Sequence, residues 1–208
     1  MKILPYGDNA LFVDLEIEDA PDRRERTQAV GRELRRRLAS SDIVVGAGSL
    51  AIIGVGAWDD LDGIIAETLR ADPDVDFSPK LHILRAVYDG ADLAEIARQT
   101  GLRGTDVVAL HAARDYDVEL IGFLPGFAYL TSLDPRLVIP RRPAPRPRVP
   151  KGSLAVAGPY TGIYSASSPG GWHLIGRVLD VELFDPARHP PALLEPGDRV
   201  RFVPYRPD

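Results

Sequence analysis

The chain has 208 residues, 45% of them hydrophobic and 26% charged, which is typical of a globular protein with one large or two small domains. Its formal net charge of −5 argues against nucleic acid as the main partner, and the lack of cysteine excludes disulfides, thiolate metal sites and cysteine nucleophiles. No segment approaches the roughly 18 apolar residues of a membrane-spanning helix, and the N-terminus has no signal-peptide pattern. We therefore expect a cytoplasmic protein.

The first 78 residues predict a small α+β domain. Residues 10–17 and 49–55 have the apolar, β-branched character of strands. Pro21 suits the first turn of a helix, and residues 59–71 predict a second amphipathic helix. The buried faces that spacing predicts are Val30, Leu34 and Leu38 in the first helix, and Leu61, Ile64, Ile65 and Leu69 in the second. The segment Asp72-Pro73-Asp74 ends the second helix, and Phe77-Ser78-Pro79 is typical of a linker.

Residues 79–208 predict a second, β-rich domain. A strand over 81–88 is followed by two short helices, one over 91–99 closed by Gly101 and one over 106–113 capped by Thr105. From Tyr116 onward only short apolar runs separated by glycine and proline remain, a pattern that indicates a closed or sandwiched β structure. The candidate strands are 118–122, 153–157, 162–165, 173–178 and 199–204.

Several segments resemble known binding motifs but lack the residues or the local structure that binding requires. Residues 46–51 resemble a dinucleotide fingerprint, but an apolar β run follows instead of a helix N-terminus. Residues 92–111 resemble a helix-turn-helix, but Asp106 stands where a DNA reader needs base-contacting or basic side chains. There is no Gly-Lys-Ser/Thr phosphate loop, and the four histidines lack the spacing of metal ligands. We therefore expect neither nucleic-acid binding nor a metal site.

The loops around residues 121–177 carry the candidate site. A strip over residues 136–151 contains six basic side chains and no acid, which suits an anionic ligand, an acidic partner surface or a solvated loop. Arginine forks bind carboxylate or phosphate in bidentate fashion. The candidate binding residues are Arg141 and Arg146, with Phe127, Tyr129, Tyr164 and Trp172 as pocket walls or, alternatively, as plugs of a barrel. His111 and His173 are candidate catalytic acid–base groups, or else hydrogen-bonded structural residues.

These loops resemble one known family, whose members are called allophanate hydrolase subunit 1, KipI-type kinase inhibitor or B-type 5-oxoprolinase subunit. The resemblance spans residues 81–203. Its motifs are Gly122-Phe123-x-Pro125-Gly126-Phe127-x-Tyr129-Leu130, Pro140-Arg141-x-x-x-Pro145-Arg146-x-x-Val149-Pro150-x-Gly152-Ser153, and Ser168-Pro169-Gly170-Gly171-Trp172-x-x-Ile175-Gly176-Arg177. It implies a cyclophilin-like β-barrel as the second domain, after a small α+β domain.

The resemblance also implies a function that depends on a partner. It points to one part of an ATP-dependent 5-oxoprolinase, which opens 5-oxoproline to glutamate. The chain would be inactive without its partner, of the type called allophanate hydrolase subunit 2 or C-type 5-oxoprolinase subunit. ATP would be bound by that partner or shared with it. Two alternatives stay open: an inhibitor of a histidine kinase, and the carboxyltransferase half of a urea-carboxylase-like system. The motifs do not separate 5-oxoproline, allophanate and urea as substrates.

Overall fold

The structure is a computed structural model that describes residues 1–18, 20–39, 41–54, 61–70 and 79–206. The chain divides into two compact units, Met1–Ser78 and Pro79–Asp208. Within the described ranges, no helix is both long enough and apolar enough to cross a membrane.

The first unit is an antiparallel sheet with two helices. Its described elements are β1 (Lys2–Pro5), β2 (Ala10–Asp14), α1 (Ala20–Arg37), β3 (Asp42–Val45), β4 (Ser49–Ile53) and α2 (Leu61–Arg70). The strand order is β1-β2-β4-β3. The predicted apolar faces of both helices are confirmed, since Val30, Leu34, Leu61 and Ile65 are buried in the core of this unit.

One predicted boundary in the first unit differs from the structure, and several others lie outside the described residues. The strand predicted to reach residue 17 ends at Asp14, because Glu16 adopts a left-handed backbone conformation (φ 52°) and its N–H donates to the Asp14 carboxylate. Val55, the predicted ends of the second helix, its stop signal and most of the linker lie outside the described residues.

The second unit is a barrel with two short helices. Its elements are β5 (Leu81–Val87), α3 (Leu93–Thr100), α4 (Gly104–Ala112), β6 (Asp115–Ile121), β7 (Ala128–Thr131), a 3-10 turn (Pro135–Leu137), β8 (Arg146–Val149), β9 (Ser153–Ala157), β10 (Tyr160–Ile163), β11 (Ser168–Gly170), β12 (His173–Val178) and β13 (Arg199–Pro204). The order β10-β7-β6-β13-β5-β12-β9 closes on itself, while β8 and β11 pair as a separate ribbon. The predicted closed β structure is confirmed, although β7 and the ribbon are strands that the sequence patterns do not predict.

The prediction for the fourth helix is wrong at its start. α4 begins at Gly104, with Arg103 at the N-cap position, so Thr105 lies inside the first turn. The Asp106 carboxylate accepts hydrogen bonds from both the Arg103 backbone N–H and its guanidinium group, which closes the helix end two residues earlier. The closure of α3 by Gly101 is confirmed, because that glycine has a left-handed φ of 70°.

Strand β9 separates two apolar clusters. Its residues alternate between the two sides of the barrel wall, as the pleat of a strand requires. Leu154 and Val156 pack in the barrel core, which also contains Tyr116 and Phe202. Ala155 and Ala157 pack instead into a smaller cluster with the aromatic side chains of the glycine-rich loops. The candidate site therefore lies against the outer side of this strand.

Candidate functional site

Asp92 organises the basic strip. It precedes α3, but its side chain does not cap that helix. One carboxylate oxygen, Oδ1, accepts hydrogen bonds from Arg142 Nη1 at 2.9 Å and from Arg146 Nη2 at 2.7 Å. The other, Oδ2, accepts from the Leu174 backbone N–H at 2.7 Å. A single buried carboxylate thus joins two arginines of the strip to the start of β12.

The backbone holds the strip against the loop before β12. The Arg142 N–H donates to the Gly171 carbonyl at 2.8 Å, and His173 Nε2 lies 3.1 Å from the Pro140 carbonyl. Further along, β8 and β11 form their two-stranded ribbon. These contacts tie the strip to the loop before β12 and to β11.

The charges in this cluster leave a net positive site. Burial opposes ionisation of Asp92, but hydrogen bonds from Arg146 and the Leu174 N–H, with the charges of both arginines, hold the pKa of Asp92 below its usual range. Two arginines facing one carboxylate leave one positive charge uncompensated. Three buried nitrogens of this cluster have no hydrogen-bond partner among the described residues: Arg142 Nε, Arg146 Nη1 and His173 Nδ1. Such groups are suited to an oxygen-rich ligand or ordered water.

The aromatic residues form a packed cluster, not an open set of walls. Phe127, Tyr164 and Trp172 are buried, and the Phe127 ring lies edge-to-face at 5.4 Å from each of the other two. Tyr129 is partly buried and packs on Phe127 at 5.2 Å. This cluster lies outside the barrel core, so its aromatic rings do not plug the barrel. Of the four predicted wall residues, Tyr129 is the one that keeps accessible surface.

Arg141 is exposed, whereas Tyr164 is buried in the cluster. The Arg141 side chain makes no hydrogen bond or ion pair with any residue the structure describes. Burial raises the pKa of Tyr164, while the Trp172 backbone N–H and the positive charges of Arg141 and Arg146 oppose the rise. The predicted arginines therefore differ in role, because Arg146 is anchored on Asp92 and Arg141 is not.

His111 lies in the barrel core, away from this cluster. Its ring packs against Tyr116 at 5.0 Å and Phe202 at 5.1 Å. Its Nδ1 is 2.9 Å from the Tyr88 hydroxyl, and its Nε2 is 2.9 Å from Thr161 Oγ1. Since the Thr161 hydroxyl donates to the Ala155 carbonyl, the imidazole donates to Thr161 from Nε2, and burial favours the neutral ring, whose Nδ1 accepts from the Tyr88 hydroxyl. Both ring nitrogens are engaged, which leaves neither for a substrate.

Burial of His111 makes the stability of the protein depend on pH. Burial lowers the pKa of His111 to about 3, so the unfolded chain binds a proton near pH 6.5 that the folded chain does not. Stability should therefore be complete above pH 6.5 and fall by about 2 kcal/mol between pH 7 and pH 5. Urea unfolding at pH 7 and at pH 5 measures this difference in the free energy of unfolding. His111→Gln should reduce the difference, and replacement of the exposed His189 by Gln should not; equal differences in all three proteins would contradict the assignment.

Sequence reasoning misses two members of the site. Asp92 lies outside the loop motifs that carry the resemblance, and its pairing with Arg142 and Arg146 joins residues 50 and 54 positions apart. Arg142 is missed in favour of its neighbour Arg141, because local sequence does not show which of two adjacent arginines turns inward. Among the described residues there is no group of three or more histidine, aspartate or glutamate side chains arranged to hold a metal.

The chain resembles proteins of one family over most of its length. The family model of the carboxyltransferase domain, subdomain C and D, matches residues 1–194. A protein of Escherichia coli O157:H7, named as a 5-oxoprolinase subunit of the B type, is 52% identical over 123 residues, which cover 58% of this chain and 56% of that protein. A Haemophilus influenzae protein of the same name is 32% identical over 209 residues, covering 98% of this chain and 97% of that protein.

A solved structure shares the fold. The crystal structure of TTHA0988 superposes with a TM-score of 0.83 at 35% identity, covering 96% of this chain and 41% of that one. This chain thus spans about half the length of the Escherichia coli relative it matches and less than half of TTHA0988. The resemblance found in the loop motifs is confirmed by the match over residues 1–194 and by the alignment along almost the whole of the Haemophilus influenzae protein. The chain belongs to the family of carboxyltransferase domains, subdomain C and D.

Proposed function

We propose that this chain is one part of an ATP-dependent 5-oxoprolinase, which hydrolyses the amide C–N bond of 5-oxoproline to give glutamate. The observation that carries the proposal is the 32% identity along 98% of the chain to a protein named as a 5-oxoprolinase subunit. The word "subunit" in that name supports a complex, and we propose a second protein of the same family as the partner. The chain has no phosphate loop, so we place ATP on the partner or between the two.

The geometry of the strip fits this chemistry. Attack of water on an amide carbonyl develops negative charge on oxygen, and preorganised donors lower the barrier to that step. Arg146 is held on Asp92 through Nη2, and its Nη1 makes no hydrogen bond to any described residue. We assign Arg146, with Arg142 beside it, the role of binding the anionic group of the substrate or of the transition state.

His173 is the better of the two histidines for proton transfer. It is buried beside the strip, and Nε2 is oriented by the Pro140 carbonyl, while Nδ1 has no partner in the described part of the chain. An imidazole that is fixed at one nitrogen and has no hydrogen-bond partner at the other is suited to act as a general acid or base toward a group that reaches it. We assign this role to His173 and a packing role to His111. Tyr129 supplies the accessible wall, with the rings of Phe127 and Trp172 packed against it and Tyr164 packed on Phe127.

Replacing Arg146 by alanine should lower kcat/KM of the reconstituted complex by roughly 100-fold, because one charge-stabilising donor is lost. The fold should persist, since Asp92 keeps its bonds to Arg142 and to the Leu174 N–H. The measurement is 5-oxoproline-dependent ATP hydrolysis by the complex co-purified with the partner. Arg98→Ala is the control, because Arg98 is exposed and pairs with its α3 neighbour Glu95.

Substrate comparison tests the proposal as a whole. Allophanate and urea are assayed beside 5-oxoproline, with a biotinylated carrier present in the urea assay. Turnover of 5-oxoproline well above that of the other two supports the proposal. Turnover of urea or allophanate instead, or full activity of the Arg146→Ala complex, would contradict the assignment of substrate or of site respectively.

A further inference from the structure

A second cavity lies beside the two short helices of the second unit. Its volume is about 500 Å³, which is within the range of small-molecule sites. The end of β5, the helices α3 and α4 and the segment after β13 line it, through residues that include Val87, Tyr88, Leu93, Val108, Ala109 and Arg206. None of its described lining residues belongs to the basic strip or to the aromatic cluster, so this cavity is separate from the site described above.

The lining is apolar apart from a few groups on exposed residues. The Tyr88 hydroxyl is already engaged, since it lies 2.9 Å from Nδ1 of the buried His111. The polar groups that remain are the hydroxyls of Thr105 and Tyr205 and the guanidinium of Arg206, all on exposed residues. Arg206 is the single charged side chain of the described lining, which contains no acid. The cavity therefore combines an apolar surface with one positive charge.

Contacts within the protein hold the walls of this cavity in place. The Tyr205 backbone N–H donates to the Ala86 carbonyl at 2.8 Å, and the Arg85 guanidinium lies over the Tyr205 ring, 5.1 Å from its centroid. On the helical side, the Leu102 N–H donates to the Ala97 carbonyl at 3.0 Å, which fixes the turn from α3 into α4. A cavity with walls held in this way loses little conformational freedom when a ligand binds.

We propose that this cavity binds a small carboxylate with an apolar body. The apolar lining favours a ligand that buries hydrocarbon. One guanidinium, with no acid in the described lining, favours a ligand of one negative charge, and its planar fork matches the two oxygens of a carboxylate. The proposal gives the chain a second ligand site and does not depend on the proposed function.

The test is the binding of octanoate to the full chain, measured by titration calorimetry and by backbone amide chemical shifts. Octanol and octylamine have a carbon chain of the same length with a neutral or a positive group in place of the carboxylate. Octanoate should bind about fivefold more tightly than octanol, because Arg206 is exposed and its charge is screened by solvent. Octylamine should bind most weakly. The shifted amides should be those of the lining, among them Leu93, Val108 and Tyr205.

Two variants separate the apolar contact from the charge. Ala109→Phe places a ring in the cavity from an exposed position of α4, and it should remove most of the affinity for octanoate and for octanol. Arg206→Gln should weaken octanoate binding about fivefold and leave octanol binding unchanged. Arg98→Gln is the control, because Arg98 is an exposed arginine of α3 that pairs with Glu95 and does not line the cavity. It should leave the affinity for both probes unchanged.

Several results would overturn the proposal. One is octanoate that shows no saturable binding, and another is octylamine that binds as tightly as octanoate. Shifts centred on the basic strip would place the carboxylate there instead. Equal weakening of octanoate binding in Arg98→Gln and Arg206→Gln would show that net charge, rather than Arg206, attracts the ligand. Self-association of the unmodified chain that Ala109→Phe abolishes would assign the cavity to an interface between two copies.

Discussion

Asp92→Asn should destabilise the second unit by about 3 kcal/mol and abolish activity of the complex. The carboxylate is buried and bonded to two arginines, and removing one member of such a group leaves charge uncompensated. This loss in the free energy of unfolding is at the low end of the range for breaking a buried ion pair, because the side chains of Arg142 and Arg146 are 30% and 23% exposed. The asparagine amide also places an N–H donor where the two arginines and the Leu174 N–H need an acceptor.

Urea unfolding followed by Trp172 fluorescence measures this loss, in a background where Trp58 is replaced by phenylalanine. Trp172 lies in the aromatic cluster beside the strip, so it reports on the unit that contains Asp92. Asp89→Asn is the matched control, three residues earlier in the chain. Asp89 pairs with Arg177 and both side chains are about half exposed, so its loss should cost less than about 1 kcal/mol. Equal unfolding midpoints for the two variants would refute the role given to Asp92.

Gly90→Ala should prevent stable folding of the second unit, or cost more than about 3 kcal/mol. A Cβ atom at this position would lie 2.3 Å from the Ile175 carbonyl carbon and 2.3 Å from the Leu174 oxygen. These are backbone atoms of β12, which is paired on both sides in the barrel, so they cannot rotate away. The close approach is also tied by hydrogen bonds from Gly90 N–H to the Ile175 carbonyl and from Asp92 N–H to the Leu174 carbonyl.

The measurement for Gly90→Ala is soluble yield together with the thermal midpoint. Gly104→Ala is the control, because nothing lies within 4 Å of a Cβ there and the residue begins α4, where alanine favours the helix. This control should match or slightly exceed the unmodified protein in stability. A Gly90→Ala protein with the same thermal midpoint as the unmodified protein would show that β12 tolerates displacement, and would contradict the close packing of Gly90 on β12.

Local patterns predict the elements better than the contacts between them. Strands β9, β12 and β13 have the predicted bounds, because short apolar runs between glycine and proline reveal their ends. The predicted start of α4 is wrong because an arginine–aspartate pair closes its end, where a threonine cap is expected. Strand β8 escapes prediction, since its proline and the prolines around it are typical of a loop, and it pairs with a single neighbour.

The sequence by itself determined the fold class, the apolar faces of the helices, most of the barrel-forming strands and the position of the basic strip, because each depends on residues near one another in the chain. The tertiary structure alone decided which charges meet. Asp92 reaches Arg142 and Arg146 only because the barrel brings the start of α3 beside β12. Closure of the barrel likewise buries His111 in its core and leaves His173 beside the strip. Such contacts join residues about 50 positions apart, and local periodicity carries no information about them.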